Sequence, residues 1–207
     1  RSFWSQVHHV GATGSATVCG LALALVVGVL LAIAVIYFAS IKGAVLTVLA
    51  AFNSIPKIAV APLFVIWFGL GIESKILLAF LLAIFPVFVN SLTGLGEIEK
   101  DMLDLSRISG GNEWRIFTKV RLMHALPYIT HSLKVAFPLA LVGAIVGEFI
   151  GGNRGIGYLI LSAQFNMDTA LVFAALLSIT IFTTLGVGVV VLFEYLFLSW
   201  RPSQRAT

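Results

Sequence analysis

Five apolar runs decide what this chain can become. A helix that crosses a bilayer core needs about 20 predominantly apolar residues, with roughly 17–25 tolerated. Residues 16–38, 44–68, 76–92, 130–150 and 170–198 each meet that requirement. The first run is apolar all round, and Gly20, Ala22, Ala24, Gly28, Ala32 and Ala34 give it surface for close helix packing. The second is interrupted by Asn53, Pro56, Lys57 and Pro62, and the third carries Pro86. The fourth starts polar and turns glycine-rich, and the fifth holds Gly186 and Gly188. Nothing alternates with period two over about ten residues, as the strands of a membrane barrel would. The expected fold is all-α and polytopic, one transmembrane domain over 1–207.

Composition agrees. The chain is 59% hydrophobic and 11% charged, with a mean hydropathy of +1.05. An ordinary soluble domain runs at about 45–50% apolar and about 25% charged. The net charge of +4 is small; it serves as a topology signal, and no nucleic-acid partner is expected. The single cysteine, Cys19, cannot form an internal disulfide, and its apolar surroundings predict a buried thiol.

Ten of the 22 Asp, Glu, Lys and Arg residues fall between positions 97 and 127. Placing that loop in the cytoplasm puts Lys42, Lys100, Arg107, Arg115, Lys119, Arg121, Arg201 and Arg205 inside. Only Arg1, Lys75 and Arg154 then lie outside, as the positive-inside rule requires. The N-terminus falls outside, yet no signal peptide is visible. A further span upstream is therefore expected, giving six in the full protein with both ends cytoplasmic.

Within the charged loop, Met102, Leu105 and Ile108 fall three apart and line one side of a short helix. Gly110-Gly111 should stop it, and Asn112 suits the N-cap of a second helix with Glu113 in its first turn. That helix should present Trp114, Phe117 and Val120 along one edge and Arg115 with Lys119 along another. Such a surface fits docking to a protein or to the membrane interface. The alternative is a solvated loop whose aromatics pack on the span ends.

Here the sequence resembles the permeases of binding-protein-dependent ABC importers. Their cytoplasmic loop carries the pattern E-A-A-x3-G-x9-I-x-L-P. This chain has Asp104-Leu105-Ser106, three residues, Gly110, nine residues, then Val120, one residue, Leu122 and Met123. The spacing agrees throughout; only Gly110 and Leu122 are identical. "NSIPKIAVAPLFVIWFGLGIESK" at 53–75 looks like the proline-rich third span of the nitrate, sulfonate and taurine branch. "GEFIGGNRGIGYLI" followed by "DTALVFAALL", and the terminal "SWRP", are similar to that branch too.

The resemblance implies a type I ABC importer permease fold in a bacterial inner membrane, multi-pass and surrounded by lipid. It implies a coupling element seated on a cytoplasmic ATPase. Asp104, Arg107, Arg115 and Lys119 would make polar contacts. Trp114 and Phe117 would anchor, Gly110 would permit the reversal, and Val120 and Leu122 would complete the motif. It further implies two ATPase subunits, a second permease chain forming a homodimer, and an extracytoplasmic solute-binding protein. The chain itself would bind no cofactor and carry no catalytic residue, with ATP and Mg on the partner subunits. The solute would be a small organic or inorganic anion, such as a sulfonate or nitrate, or a small heterocycle.

Other residues remain open. Pro56 and Pro62 each remove a backbone donor, tolerable where the freed carbonyls face protein or a cavity. Asn53, Pro56, Lys57 and Glu148 are candidates for the translocation path. Lys57 either attracts an anionic solute or snorkels to the cytoplasmic face. Glu148 either contributes to an outer gate or makes a structural hydrogen bond. Gly143, Gly147 and Gly151 form two overlapping G-x-x-x-G steps, which serve close packing within one subunit or across a dimer axis. The glycine-rich stretch 151–157 is no phosphate loop, because no strand precedes it and no G-x-x-x-x-G-K-[ST] occurs. His124 and His131 lack a third ligand nearby, so no metal site is expected. The chief rival is an ion-coupled secondary transporter. It would need coupling residues at mid-membrane, and few ionisable residues lie there.

Overall fold

The computed structural model describes residues 3–198. Arg1, Arg201, Arg205 and the 199–202 segment lie outside the described residues. Among the described residues every regular element is a helix: α1 (Phe3–Tyr37), α2 (Ala39–Ser54), α3 (Lys57–Phe68), α4 (Ile72–Gly96), α5 (Lys100–Ile108), α6 (Glu113–Ile116), α7 (Leu122–Gly151), α8 (Ile156–Phe165) and α9 (Thr169–Phe197). A five-residue widened turn, Phe117–Arg121, joins α6 to α7 without interrupting the helix.

Four helical stretches are long and apolar enough to cross a membrane: His8–Tyr37, Ile72–Gly96, Glu113–Gly151 and Thr169–Leu196. Three of them overrun the apolar runs that announce them by several residues, because helix continues where the sequence turns polar. The second run is a bent pair. α2 and α3 meet at 94°, and only as a pair are they long and apolar enough to cross. Proline explains the break: it steers the residue before it away from helical angles, and Ile55 sits at φ −70°, ψ 133°.

α1, α4 and α7 form the centre. Lipid tails are as apolar as leucine, so helices associate in a bilayer through close packing, which small residues permit. The outer half of the core is accordingly alanine-rich: Ala16 and Ala24 meet Ala79 and Ala83 of α4 and Ala136, Ala140 and Ala144 of α7. Glycine takes the approach further. A Cβ on Gly20 would sit 2.5 Å from that of Ala79, and one on Gly143 would sit 2.5 Å from the Leu78 carbonyl oxygen. The inner half uses larger side chains, with Val35, Phe88, Leu95 and Ile129 packed around Ala32 and Ala125. Phe88 is fully buried, and truncating such a residue to alanine typically costs about 3–5 kcal/mol.

The G-x-x-x-G steps are therefore spent inside the subunit. Gly143 and Gly147 lie on Leu78, Ala79 and Lys75 of α4, and Gly151 lies on Leu70 in the turn before it. The periphery is looser. α9 packs along one side on α7 and α8, and Phe173, Leu177, Ile181, Leu185 and Val189 remain exposed along it. Cys19 corrects an expectation: it lies on the exposed side of α1, because the small residues of that helix, not its thiol, take the α4 face.

Candidate functional site

Three polar assemblies stand out against this apolar frame: an elbow at one end, a cleft at mid-depth, and a buried knot at the other end.

The elbow is α5 and α6. α5 ends at a glycine-dependent reversal. Gly110 adopts φ +79°, its N–H donates to the Arg107 carbonyl at 3.0 Å, and the Gly111 N–H donates to the Ser106 carbonyl at 3.0 Å. Both helix-end carbonyls are thereby satisfied, and residue 110 must take a conformation that glycine adopts without steric cost. Asn112 caps the next helix, its side chain accepting the Arg115 N–H at 2.9 Å. Arg107 bridges the two helices, lying 3.6 Å from Asp104 and 3.3 Å from Glu113. All three side chains are exposed, so these pairs add little stability and mainly set direction.

The aromatic edge expected from the sequence divides in the structure. Trp114 is 71% exposed. Phe117 turns inward and is half-buried, its ring centroid 6.0 Å from that of Tyr37 on α1. Ile116, not singled out from the sequence, is buried. Val120 and Leu122 are half-buried, while Arg115 and Lys119 face outward. The outward apolar surface is supplied instead by Met102, Leu105 and Ile108 of α5, with Ile108 at 84% exposure. Their i, i+3, i+6 spacing is visible in the sequence; what is not visible is that none of the described residues covers them.

The elbow is clamped to the membrane helices. Arg121 donates to the Leu95 carbonyl at 2.9 Å. His124 Nδ1 lies 2.7 Å from the Gly94 carbonyl, a hydrogen bond when that nitrogen carries the proton. The last carbonyls of α4 are thus held by Arg121 at the end of the widened turn and His124 at the start of α7.

The cleft has a volume of about 530 Å³ and lies where α2 and α3 break. Asn53, Pro56 and Lys57 come together on one wall; Leu82, Phe85 and Pro86 of α4 and Val135 and Leu139 of α7 form the other. Those opposing residues belong to the middle turns of their helices, which sets the cleft at mid-depth. Lys57 donates to the Asn53 side-chain oxygen.

Glu148, the fourth path candidate, is not part of the cleft. It is 1% exposed and lies in the knot. Its carboxylate accepts from the Thr13 hydroxyl at 2.8 Å and from the Gly157 N–H at 2.8 Å. Thr13 in turn accepts the Ile156 N–H at 2.8 Å, and His9 Nδ1 accepts the Gly155 N–H at 3.1 Å. Lys75, buried on α4, adds an attractive charge to Glu148 and reaches the Arg154 carbonyl. The sequence places Lys75 in an external loop; the structure makes it part of this junction. Gly155, at φ +116°, is bound by the same geometry, since a Cβ there would fall 2.1 Å from the Glu148 carboxyl. The knot joins the outer ends of α1, α4 and α7 to the first turn of α8.

An all-α membrane domain with a broken mid-span cleft and an uncovered amphipathic elbow defines a class: the integral-membrane subunit of a transport system. The comparisons with known proteins give the family. A profile described as "Binding-protein-dependent transport system inner membrane component" matches residues 24–199, and the chain belongs to that family. The formylaminopyrimidine transport permease protein ThiX of Halalkalibacterium halodurans is 35% identical over 196 residues, which cover 95% of this chain and 78% of that protein. The riboflavin transport system permease protein RibX of Chloroflexus aurantiacus is 36% identical over 163 residues, covering 79% of this chain and 61% of that protein; the chain thus spans less than two thirds of the RibX length. In structure, a chain of the MetNI methionine ABC transporter, solved in an inward-facing conformation, matches with a TM-score of 0.74 at 20% identity, covering 91% of this chain and 95% of that one. The fold is that of type I ABC importer permeases, and the chain is a multi-pass inner-membrane protein.

Proposed function

We propose that this chain is the membrane-spanning permease subunit of an ATP-driven importer. Two copies would enclose one solute path, two ATPase subunits would bind the elbows, and an extracytoplasmic binding protein would deliver the solute. ATP and Mg would be held by the ATPase chains, with no cofactor on this one. The solute would be a small heterocycle, as the names of ThiX and RibX suggest, or a small anion, as Lys57 favours.

The observation that carries this reading is the elbow's outward face. Met102, Leu105, Ile108 and Trp114 are all exposed and are framed by Asp104, Arg107 and Arg115. Helix-end geometry and the Arg107 pairs hold the face in shape before any partner arrives. Large apolar side chains inside a polar rim match the anatomy of a protein interface. Closure of the ATPases on ATP would then move the elbows and, through the α4–α7 clamp, shift helices as rigid bodies.

The test is capture of the ATPase from detergent-solubilised membranes with the tagged permease. Wild type should bring down an ATP-hydrolysing partner, and Ile108→Ala with Trp114→Ala should lose it while the permease stays folded. Unchanged capture by the double variant would refute the docking assignment. An ion-coupled secondary transporter would bring down no such partner from wild type either.

A further inference from the structure

The N–H groups at the start of a helix have no carbonyl partner within it. At the start of α8, three successive ones are taken by side chains of other elements. Gly155 N–H donates to His9 Nδ1 at 3.1 Å, Ile156 N–H to the Thr13 hydroxyl oxygen at 2.8 Å, and Gly157 N–H to the Glu148 carboxylate at 2.8 Å. His9 and Thr13 lie one turn apart on α1, so one face of that helix supplies two of the three acceptors.

The three acceptors answer differently to a proton. A hydroxyl such as that of Thr13 does not titrate near neutral pH, and a carboxyl such as that of Glu148 keeps an acceptor oxygen in either state. An imidazole nitrogen accepts only through its lone pair, and a proton there turns it into a donor facing a donor. Imidazole ordinarily titrates near about 6.5. His9 is half-buried, and its ring stacks on that of Tyr158 with centroids 6.0 Å apart. The titratable and charged groups around the joint are His8 on the same helix, Lys75 on α4, Glu148 on α7, Arg154 in the turn before α8 and Tyr158 on α8. Asp168, which caps α9, stands at the far end of α8. Glu148 is already engaged by Thr13, by the Gly157 N–H and by the charge of Lys75. A new positive charge on His9 would also stand at the positive end of the α8 dipole.

We infer that His9 is a proton-sensitive latch on the first turn of α8. The closed latch excludes a proton that the open one accepts. It therefore holds above the ordinary imidazole range and weakens as pH falls through it. Gly155 is released first. Ile156 follows, although its side chain is packed with Ile160 and Ala175, and the joint of α1, α7 and α8 loosens. The latch stands apart from the transport reading, which supplies only the compartment: the end opposite the elbow is the one that would receive the solute. Acid on that side would loosen the receiving end of the permease.

Hydrogen exchange read by mass spectrometry tests this on the complete transporter in lipid nanodiscs, with rates corrected for the intrinsic pH dependence of amide exchange. In wild type, protection of the Gly155–Gly157 amides should fall about tenfold between about pH 6.5 and about pH 5.5, the limit for one coupled proton. His9→Asn places an acceptor oxygen near the position of Nδ1 but takes up no proton in this range, and it should flatten the profile. His9→Gln serves if His9→Asn fails to assemble. His9→Ala should lower protection at every pH and show no slope. Glu148→Gln should keep the slope. A flat wild-type profile, or a slope that survives His9→Asn or vanishes in Glu148→Gln, would overturn the inference. So would a parallel loss of protection around the buried Val87 and Phe88, because the whole fold would then be responding to acid. None of these outcomes bears on ATPase capture, so the latch and the importer reading fail separately.

Discussion

The Thr13 hydroxyl donates a hydrogen bond to the Glu148 carboxylate at 2.8 Å, joining residues 135 positions apart. Thr13 also accepts the Ile156 N–H, so one side chain links α1, α7 and α8. Thr13→Val keeps the shape and removes both bonds. A buried group left without its partner costs about 1–3 kcal/mol, and the variant should unfold at lower temperature in detergent by a corresponding amount. Glu148→Ala should be worse, since it strips the partner from Thr13, from the Gly157 N–H and from Lys75 together. An unaltered melting profile for Glu148→Ala would contradict the structural role assigned to the knot.

Close packing of α7 on α4 makes a paired prediction about glycine. Gly143→Ala forces a Cβ to within 2.5 Å of the Leu78 carbonyl oxygen and 2.7 Å of the Ala79 Cα. Both contacts are backbone and cannot swing away, so the helices must part at a cost of about 1–3 kcal/mol. Gly188→Ala meets nothing within 4 Å and should be neutral or stabilising by up to about 1 kcal/mol, the helix preference of alanine over glycine. Thermal unfolding of the two variants side by side measures the contrast.

Trp114 and Phe117 are neighbours, with centroids 6.2 Å apart, yet they should fail differently. Phe117→Ala removes packing against Tyr37 and the inner core and should lower thermal stability by about 2–4 kcal/mol, somewhat below a fully buried phenylalanine. Trp114→Ala removes an exposed ring and should leave stability within about 0.5 kcal/mol. Melting curves of the isolated permease distinguish them, and equal destabilisation would mean that Trp114 packs within the chain.

The Lys134–Glu194 pair ties α9 to α7, and each side chain is little more than a quarter exposed. Lys134→Glu and Glu194→Lys should each destabilise, since each sets like charges together. The double swap should recover much of the loss, with a coupling energy of about 0.5–3 kcal/mol in a double-mutant cycle. Strict additivity of the two single effects would show that the contact contributes nothing.

What the sequence disclosed follows the range of the interactions. Apolar run length revealed the spans, because the bilayer imposes that length. The Gly110–Gly111 stop and the Asn112 cap were legible because helix ends are decided within four residues. Pro56 announced a break between α2 and α3, though not its 94° angle. The knot was illegible, since His9, Thr13, Lys75 and Glu148 are brought together only by the packing of α1, α4 and α7. Phe117 misled for a related reason: helical spacing assigns it an edge, but the presence of Tyr37 decides that this edge faces inward. α8 went unseen because ten residues are too few to signal a crossing and its glycine-rich start reads as a turn.

From Glu113 to Gly151 the helix runs 39 residues without a break, about 58 Å at 1.5 Å per residue, nearly twice the thickness of a bilayer's hydrocarbon core. One tip carries Trp114 and the other reaches Glu148, so the chain has a tiller: handle at the elbow, blade at the far rim. A swing of about 5° at the handle would carry the blade about 5 Å over that length, and the stern fitting is a lattice of hydrogen bonds rather than a hinge.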